Sequence, residues 1–576
     1  MTDSVVVASL VEDTSLWRGR VRPVLGVWAK WLTIGTAIIA LLGIIAYPLI
    51  YLLKFSLTTE QGAFTLDSFA EVFGEPGMLT ATVNSLWLVA LVVVFSLTLG
   101  TSLAWLVARS NVPGKGFITA SAGIAFVIPT FITVIAWIYL AAPNSGLLNK
   151  WLIGEFGLSS PPLNMISFGG LVLIETAHLY PLVFFSVLSA LNNVDVSYEQ
   201  AARILGAGRL RTVLTITLPL VTPAIFASSI LVMLDTLSSF GAPSVIGTMA
   251  NFSVLTTKLY DLLAFPPRLN LAAATAVPIV AYTLLCLAMQ RALVARDDYR
   301  TLTGKVTRPE PVDLGRWRWL GGLFAAIVVL FCAVLPLGGL VVLSLTKVLG
   351  VPASFENLGL SHYLSLFDYG FGTFEAFKNS LILALCTATV CASLAVVCAW
   401  LVERTNIAGR GVITVLIMIA YGFPSIAFGV GIMLGYIGAF YGTLTLLLIA
   451  YAAKQLPVVF VLVRTALKQI STDLEEAARI SGAGWVRTLA DITLPLMRVS
   501  IGIGWILVFS LSIRELSMSV LLAQTDTQVM STVILQFIAD GTIESAAALS
   551  VIIVLICLAV MGVVWKISGR SVATGY

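Results

Sequence analysis

Long runs of apolar residues alternate with short polar segments along the whole chain. Twelve of these runs have about the 20 residues that an α-helix needs to cross the hydrocarbon core of a bilayer. We predict spans at 31–53, 82–107, 117–141, 166–191, 222–246, 270–291, 319–345, 379–402, 412–437, 442–467, 498–523 and 545–566. Backbone groups in lipid must bond within their own segment, so stretches this long and apolar must be helical. The pattern predicts an all-α polytopic membrane protein with about twelve transmembrane helices.

Composition leads to the same class of protein. The chain has 576 residues, of which 59% are hydrophobic and 11% charged, and its mean hydropathy is +1.00. A soluble domain would carry roughly 25% charged residues. These values exclude a single water-soluble core and require a lipid bilayer as a partner. The net charge of +4 is small and spread along the chain, and it says nothing about nucleic acid. We expect no nucleic-acid partner.

The first thirty residues are polar and precede the first apolar run. That run is too long for the core of a signal peptide, and no A-x-A cleavage site follows it. We therefore predict a retained first span behind a cytoplasmic N-terminal segment.

Lys and Arg residues concentrate in alternate loops, which fixes the predicted orientation. The loops rich in these residues carry Arg18, Arg20, Arg22, Arg109, Lys115, Arg203, Arg209, Arg211, Arg291, Arg296, Arg300, Lys305, Arg308, Arg316, Arg318, Lys566 and Arg570. The loop "TTEQGAFTLDSFAEVFGEPG" has four acidic residues and no Lys or Arg. We predict a multi-pass membrane protein with both termini in the cytoplasm.

The chain contains two copies of one plan. "EQAARILGAGRLRTVLTITLPL" begins at Glu199, and "EEAARISGAGWVRTLADITLPL" begins at Glu475, 475 − 199 = 276 residues later. "WLVARSNVPGKG" at Trp105 matches "WLVERTNIAGRG" at Trp400 with a shift of 400 − 105 = 295. Each copy holds six predicted spans, and an even number makes the two repeats parallel.

These boundaries divide the chain into five parts. We predict a cytoplasmic segment 1–30, a six-helix domain 31–295, a cytoplasmic linker 296–318, a second six-helix domain 319–567 and a tail 568–576. Two parallel bundles enclose a path at their interface, which makes transport the leading class of function.

The repeated motif has the chemistry of a docking loop. Its apolar residues suit a short helix with a small face for another protein's groove: Ala201, Ala202, Ile204, Leu205, Ala477, Ala478 and Ile480. Gly206 and Gly482 suit the turn that ends this helix. Pro219 and Pro495 suit the first turn of the following span. An ordinary amphipathic turn is the alternative, but it does not account for equivalent copies in both halves.

The motif resembles the cytoplasmic signature of the membrane subunits of bacterial ABC importers: E-A-A, three residues, Gly, nine residues, Ile, one residue, Leu-Pro. The second copy matches throughout, from Glu476 to Pro495, whereas the first has Gln200 in place of the glutamate. The fused layout is similar to that of ferric-iron permeases and their aminoethylphosphonate, thiamine and polyamine relatives. The resemblance implies the transmembrane fold of type I ABC importers, and it implies that the membrane is the bacterial inner membrane.

The resemblance also implies partners and a mechanism. Each motif loop would dock into one subunit of a homodimeric cytoplasmic ATPase, through Glu199, Gln200, Ala201, Ala202, Gly206, Glu475, Glu476, Ala477, Ala478 and Gly482. A periplasmic binding protein would deliver a small hydrophilic cargo, with ferric iron as the first candidate. The chain has no G-x-x-x-x-G-K-[ST] motif. We therefore predict that it is not an enzyme and holds no cofactor, with ATP and Mg²⁺ bound by the ATPase.

Polar residues inside the predicted spans are candidates for the solute path or its gate. Glu175 and His178 share a helix face, and Tyr451 and Lys454 occupy the matching positions of the second half. The complete set is Glu175, His178, Asp235, Tyr451, Lys454, Arg514 and Glu515. Hydrogen bonding between helices is the alternative role for each. We predict no metal site from two such ligands, and kinks in two spans at Pro129 and Pro424.

Two other classes of function share part of this pattern. A secondary transporter also has two six-helix halves but has no need of a repeated E-A-A loop. An intramembrane enzyme would need a nucleophile–base pair or a metal cluster, and the chain has only His178 and His362.

Overall fold

The computed structural model describes eight ranges of the chain: 31–59, 61–195, 197–264, 266–294, 312–351, 355–366, 372–407 and 409–573. The predicted N-terminal segment 1–30, residues 296–311 of the predicted linker and the end of the predicted tail lie outside them. Within these ranges the chain forms helices and three isolated β-bridges, and no strand.

Each half contains eight principal helices in the same order, so that αn of the first half corresponds to α(n+8) of the second. In the first half they are α1 Trp31–Ser56, α2 Met78–Arg109, α3 Lys115–Val127, α4 Thr130–Ala141, α5 Phe168–Asn193, α6 Ser197–Ile204, α7 Val213–Ser238 and α8 Leu269–Val294. In the second half they are α9 Trp317–Leu345, α10 Thr373–Arg404, α11 Arg410–Gly422, α12 Ser425–Phe440, α13 Leu444–Gln469, α14 Thr472–Ile480, α15 Trp485–Ile513 and α16 Ile543–Ala573.

Shorter helices occupy the connections. Those of α-helical type are Asp67–Gly74, Leu147–Phe156, Arg209–Thr212, Gly241–Ala250, Leu255–Asp261, Ser361–Ser365, Ser519–Leu522 and Met530–Ala539. The helix Leu147–Phe156 lies in an insertion that the second half lacks.

The predicted spans all fall on helices. Nine described helices are long and apolar enough to cross a bilayer, and two bent pairs, α3–α4 and α11–α12, raise the number to eleven. The predicted span 270–291 lies in α8, whose apolar stretch Leu269–Leu285 is shorter. The all-α polytopic class is therefore confirmed, while the count of twelve crossings stays a prediction.

The two predicted proline kinks are complete breaks. The helix axis turns by 103° between α3 and α4 and by 113° between α11 and α12. A residue before proline is driven out of the α region, and Ile128 and Phe423 have ψ of 120° and 133°. Pro129 and Pro424 then stand at the start of the next helix. The prediction of kinked single spans at 117–141 and 412–437 is corrected to pairs of short helices.

Pro219 and Pro495 lie in the first turn of the α-helical segments Leu218–Ser238 and Leu494–Ile513, as predicted. Each segment follows one π-helical turn, Val213–Thr217 or Leu489–Thr493, without a break, so the whole span begins before the proline. Proline has no N–H and collides with the carbonyl four residues earlier, and a wider turn relieves both problems. The same device precedes Pro48 in α1 and Pro336 in α9.

Two helices in each half pack in close contact. The helices α2 and α5 approach so closely that a Cβ on Gly100 would lie 2.6 Å from Cβ of Val183 and 2.8 Å from the carbonyl oxygen of Tyr180. Small residues permit this approach between helices in lipid. Their counterparts α10 and α13 pack against each other in the same way.

The first helix of each half packs against the opposite half. Helix α1 lies on α12, where a Cβ on Gly431 would be 2.8 Å from the carbonyl oxygen of Pro48. Helix α9 lies on α4, where a Cβ on Gly339 would be 2.8 Å from Cδ1 of Leu140. This exchange ties the two bundles into one body along their interface.

An ion pair joins two loops that the charge pattern places outside. Arg268 Nη1 and Nη2 donate to Oε2 and Oε1 of Glu75 at 2.8 and 2.7 Å. Lys258 Nζ lies 3.8 Å from the same carboxylate. Through these hydrogen bonds Arg268 lowers the pKa of Glu75, and Glu75 raises the pKa of Arg268. The pair fixes the entrance of α2 to the entrance of α8.

We expect this pair to make thermal stability depend on acid pH. A carboxyl group with a lowered pKa stabilises the fold above its ordinary pKa, and that contribution is lost as the pH falls through the lowered value. The melting temperature of the purified chain, followed from neutral to acid pH, is expected to fall more steeply than that of Glu75→Gln. Glu155→Gln, at an exposed position of Leu147–Phe156, is the control. Identical pH profiles for the native chain and Glu75→Gln would contradict the assignment.

Candidate functional site

The two copies of the motif form short helices that end in a tight turn. Helix α14 begins behind Ser471, whose hydroxyl accepts from the Asp473 N–H at 3.2 Å. Beyond α6 and α14 the chain reverses at Gly206 and Gly482, with φ of +84° and +83°. Only glycine adopts this left-handed geometry without strain. The predicted helix and glycine turn are thus confirmed in both halves.

The glutamate at the start of each motif is turned into the protein. Glu199 and Glu475 have 5% and 2% of their surface exposed. Arg109 Nε lies 3.2 Å from Glu199 Oε1, and Arg404 Nε lies 3.1 Å from Glu475 Oε1. The two arginines are the last residues of α2 and α10. The first residue of the motif is therefore an internal contact and not part of an exposed face.

A threonine from the start of the next span completes each cluster. Thr217 Oγ1 donates to Glu199 at 2.9 Å, and Thr493 Oγ1 donates to Glu475 at 3.3 Å. We call Arg109, Glu199 and Thr217 the first anchor, and Arg404, Glu475 and Thr493 the second anchor.

Each anchor arginine also binds the C-terminal end of a long helix, α5 in the first half and α13 in the second. Arg109 Nη2 donates to the carbonyl of Val194 at 3.2 Å. Arg404 Nη2 donates to the carbonyls of Leu467 and Ile470 at 2.8 and 2.7 Å. A cation at a helix C-terminus is favourable because the last carbonyls have no partner within the helix. Each anchor thus joins the motif helix to the ends of three long helices.

The remaining motif residues divide into inward and outward sets. Ala202 is buried and Ala478 is half-buried, whereas Gln200, Ala201, Gly206, Glu476, Ala477 and Gly482 are exposed. The large apolar side chains at the helix ends are almost fully exposed: Ile204 at 86%, Leu205 at 87% and Ile480 at 88%. Each anchored loop therefore presents an apolar tip. We call Ile204, Leu205 and Ile480 the knob residues.

Sequence reasoning missed the anchor partners Arg109, Arg404, Thr217 and Thr493. Arg109 was interpreted only as a charge that sets orientation. The signal was nevertheless present, since 404 − 109 = 295 and 493 − 217 = 276 are the same shifts that relate the repeats.

The second loop has bracing contacts for which the first half lacks the matching residue types. Trp400 packs on Trp485 with 5.0 Å between ring centroids. Arg464 and Lys468 lie 2.6 and 3.7 Å from Glu403. The first half has Ala108, Leu188, Asn192 and Arg209 at the positions of Glu403, Arg464, Lys468 and Trp485. The two loops therefore share an anchor but not its surroundings.

A polar cavity of about 170 Å³ lies where the two halves meet. Its walls come from the broken spans around Pro129 and Ser425 and from the ends of α7 and α15. These two helices stop at Ser238 and Ile513, earlier than the predicted ends 246 and 523. Five of the seven predicted pathway residues line it: Glu175, His178, Asp235, Arg514 and Glu515.

Arg514 and Lys454 bind the C-terminal ends of α3 and α11, the first helices of the two broken spans. Arg514 Nη1 donates to the carbonyls of Phe126 and Val127 at 3.0 and 2.9 Å. Lys454 Nζ donates to the carbonyls of Tyr421 and Phe423 at 3.2 and 2.5 Å. Since Phe126 and Tyr421 are equivalent positions (421 − 126 = 295), the same helix end receives a cation in each half.

Glu515 and Tyr451 are engaged in local structure. The Glu515 carboxylate accepts from the N–H groups of Met518 and Ser519 and from the Ser519 hydroxyl, at 3.0 to 3.3 Å. Tyr451 Oη lies 2.7 Å from the same hydroxyl. Together they fix the short helix Ser519–Leu522, and Tyr451 does not line the cavity.

Three first-half residues are left facing the cavity. Glu175 accepts from the Ser239 hydroxyl at 2.5 Å. The His178 ring stacks on Phe126 with 5.6 Å between centroids, and its buried Nδ1 has no hydrogen-bond partner among the described residues. Asp235 is an exposed residue, and no ion pair within 4.0 Å is formed by it in the described part of the chain. Across the described ranges, no three His, Cys, Asp or Glu side chains are placed to hold a metal ion.

Comparison with known proteins explains the twofold plan. The family described as "binding-protein-dependent transport system inner membrane component" matches the chain twice, over residues 96–297 and 392–572. The chain belongs to this family. Each matched segment contains one motif loop and all three residues of one anchor. The resemblance to ABC importer permeases and the presence of two repeats are confirmed, and the chain is a multi-pass inner-membrane permease.

Two ferric permeases match this chain along most of its length, and a molybdenum permease matches part of it. The "Ferric transport system permease protein FbpB" of Actinobacillus pleuropneumoniae is 25% identical over 533 residues, which cover 90% of this chain and 75% of that one. The "Fe(3+)-transport system permease protein FbpB 2" of Haemophilus influenzae is 25% identical over 540 residues, covering 91% and 96%. The present chain is also 36% identical to the "Molybdenum transport system permease protein ModB" of Escherichia coli over 163 residues. That match covers 28% of this chain and 69% of ModB. These relatives are transport permeases and not enzymes.

Proposed function

We propose that this permease forms the membrane path of an ATP-driven importer. It takes a small hydrophilic solute from a periplasmic binding protein and releases it in the cytoplasm by alternating access. Both motif loops and both termini then lie in the cytoplasm. The observation that carries the proposal is the pair of exposed apolar knobs, each supported by a buried anchor at equivalent positions of the two halves.

The anchors explain how a docking loop would move helices. A homodimeric ATPase that binds ATP and Mg²⁺ would contact the knob residues together with the exposed Gln200 and Glu476. Because Arg109 and Arg404 bind both the motif glutamate and the end of the fourth span, a displaced loop pulls α2 and α5, or α10 and α13, with it. No group of this chain then needs to bind nucleotide.

Ferric iron is the first candidate for the cargo. The relatives that match along most of the chain are named as ferric permeases. The 2-aminoethylphosphonate permease PhnU of Salmonella typhi is 29% identical over 36% of this chain. This solute is the second candidate, because the central cavity carries acidic and basic side chains together. Thiamine and polyamines remain alternatives from the fused layout alone.

Reconstituted vesicles test the proposal. The chain, its ATPase and the cognate binding protein are assembled in liposomes, and radioactive ferric iron or 2-aminoethylphosphonate is supplied on the binding-protein side. We expect accumulation only with ATP and all three components present. Cargo accumulation in vesicles that lack the ATPase would overturn the proposal, as would labelling of either motif loop from the binding-protein side.

A further inference from the structure

The central cavity is chemically unequal on its two sides, although the halves that build it are repeats. Helix α7 contributes Asp235, and the equivalent residue of α15 is Leu511, since 511 − 235 = 276. The position after α15 contributes Arg514, and its first-half equivalent is Ser238. At one pair of equivalent positions the first half has a carboxylate and the second half an apolar side chain. At the other pair the first half has a hydroxyl and the second half a guanidinium.

These opposite charges share one cavity without pairing. Asp235 and Arg514 form no ion pair within 4.0 Å, although both line the same space. Charged side chains inside a membrane protein are costly and normally pair with each other or with backbone carbonyls. Arg514 uses Nη1 for two carbonyls of α3, which holds the guanidinium in place on its own wall. Asp235 and Arg514 thus line the same cavity at more than 4.0 Å from each other.

One buried nitrogen of His178 points to a ligand in the same place, although the ring also bonds the backbone of Ala125 and Ile128. His178 is 9% exposed and lines the cavity, and its Nδ1 lacks a hydrogen-bond partner in the described residues. A buried polar atom left without a partner costs free energy unless something else satisfies it. Stacking of the imidazole on Phe126, the residue whose carbonyl binds Arg514, fixes the ring.

We propose that this cavity binds a small solute that carries a positive and a negative centre, with Asp235 opposite the positive centre and Arg514 opposite the negative one. The inference rests on the proposed function, because the solute is the cargo in transit. A volume of about 170 Å³ equals that of roughly five or six water molecules at ~30 Å³ each, which suits a solute of few heavy atoms. A small zwitterion has this chemistry, and so does a ferric ion with a bound oxyanion.

Binding to the full chain in lipid nanodiscs tests the charge pairing. The probes are 2-aminoethylphosphonate, ferric citrate, ethylphosphonate and ethylamine, and dissociation constants are measured by calorimetry. We expect 2-aminoethylphosphonate or ferric citrate to bind at least about ten-fold more tightly than both singly charged probes. If ferric citrate alone shows this advantage, the cargo is iron with its anion; if the phosphonate alone does, the cargo is a free zwitterion.

Two variants assign the effect to the proposed residues. Asp235→Asn is expected to remove the advantage of the doubly charged probe and leave ethylphosphonate unchanged, whereas Asp540→Asn, which removes an exposed carboxylate outside the cavity, retains the advantage. The double variant Asp235→Leu/Leu511→Asp places a carboxylate three residues from Arg514, where the two side chains pair. It is expected to bind ethylphosphonate more weakly than the native chain.

Each contrary result has a distinct meaning. Equal affinity for singly and doubly charged probes, or an undiminished advantage in Asp235→Asn, overturns the site. If Asp235→Asn also imports cargo at the native rate in the complete ATP-driven system, the site fails while the proposed function stands. Cargo accumulation without the ATPase rejects the proposed function independently of this cavity.

Discussion

Replacing both knob isoleucines by aspartate, Ile204→Asp with Ile480→Asp, is expected to lower ATP-dependent import at least about 100-fold. Their side chains are 86% and 88% exposed, so the substitutions remove nothing from the core. Central apolar anchors of a protein interface commonly contribute about 2 kcal/mol or more each, and two such losses correspond to a factor of roughly 1,000 in affinity. Import into the reconstituted vesicles and the amount of ATPase that copurifies with the chain measure the effect.

The double variant Ile204→Val/Ile480→Val is the matched control, because it keeps an apolar side chain at both tips. It is expected to retain copurification and most import activity. The melting temperature of the aspartate variant is expected to equal that of the native chain. Undiminished ATPase binding by a folded aspartate variant would show that the knobs are not the docking surface. Single variants then compare the two loops, and we expect the first loop, which lacks the residue types of those bracing contacts, to tolerate its substitution less well.

The helices were predictable because a run of apolar residues long enough to span a bilayer needs no further information to be recognised. The breaks at Pro129 and Pro424 were not, since the sequence stays apolar through both. A proline shows that a helix is interrupted, but the angle depends on which helices pack against the two pieces. Here Arg514 and Lys454 hold the interrupted ends, and Arg514 lies 514 − 129 = 385 residues from the break that it holds.

The motif loops were predictable as elements and only partly as surfaces. Exposure of Gln200, Glu476 and Ile480 agrees with the amphipathic pattern. The burial of the Glu199 side chain does not agree with that pattern, because a glutamate in the first turn of a polar helix ordinarily faces water. Its partner Arg109 lies 199 − 109 = 90 residues earlier. A single sequence does not give such a contact, unless the second copy of the same arginine and glutamate is used to suggest it.

The predicted pathway residues separate by their hydrogen bonds. Tyr451, Lys454 and Glu515 are satisfied by local partners, which agrees with the alternative structural role considered for them. Asp235 forms no ion pair within 4.0 Å among the described residues, and the buried Nδ1 of His178 has no hydrogen-bond partner there; both residues line the cavity. Both groups consist of polar or ionisable residues within the predicted spans, so the sequence pattern does not separate them and the geometry of their neighbours does.

Arg404→Ala is expected to destabilise the permease by about 3–5 kcal/mol, the usual cost of leaving one member of a buried ion pair without its partner. The side chains of Arg404 and Glu475 are 9% and 3% exposed, and the substitution also releases the carbonyls of Leu467 and Ile470. Arg109→Ala is expected to act in the same direction. Reversible unfolding in mixed micelles gives the free energy, and Arg487→Ala, which removes an exposed ion pair of the same loop, is the control.

A second variant separates stability from coupling. In Arg404→Met/Glu475→Met both charges are gone and the volume is largely kept, so most of the lost stability is expected to return. The directional link between α14 and the end of α13 is absent in this variant, because methionine donates no hydrogen bond to the carbonyls. We therefore expect a stable permease that still binds the ATPase through Ile480 but imports cargo slowly for each ATP hydrolysed. If this variant imports as much cargo for each ATP hydrolysed as the native chain does, the anchor only stabilises the fold. If Arg404→Ala is as stable as Arg487→Ala, the buried ion pair does not form.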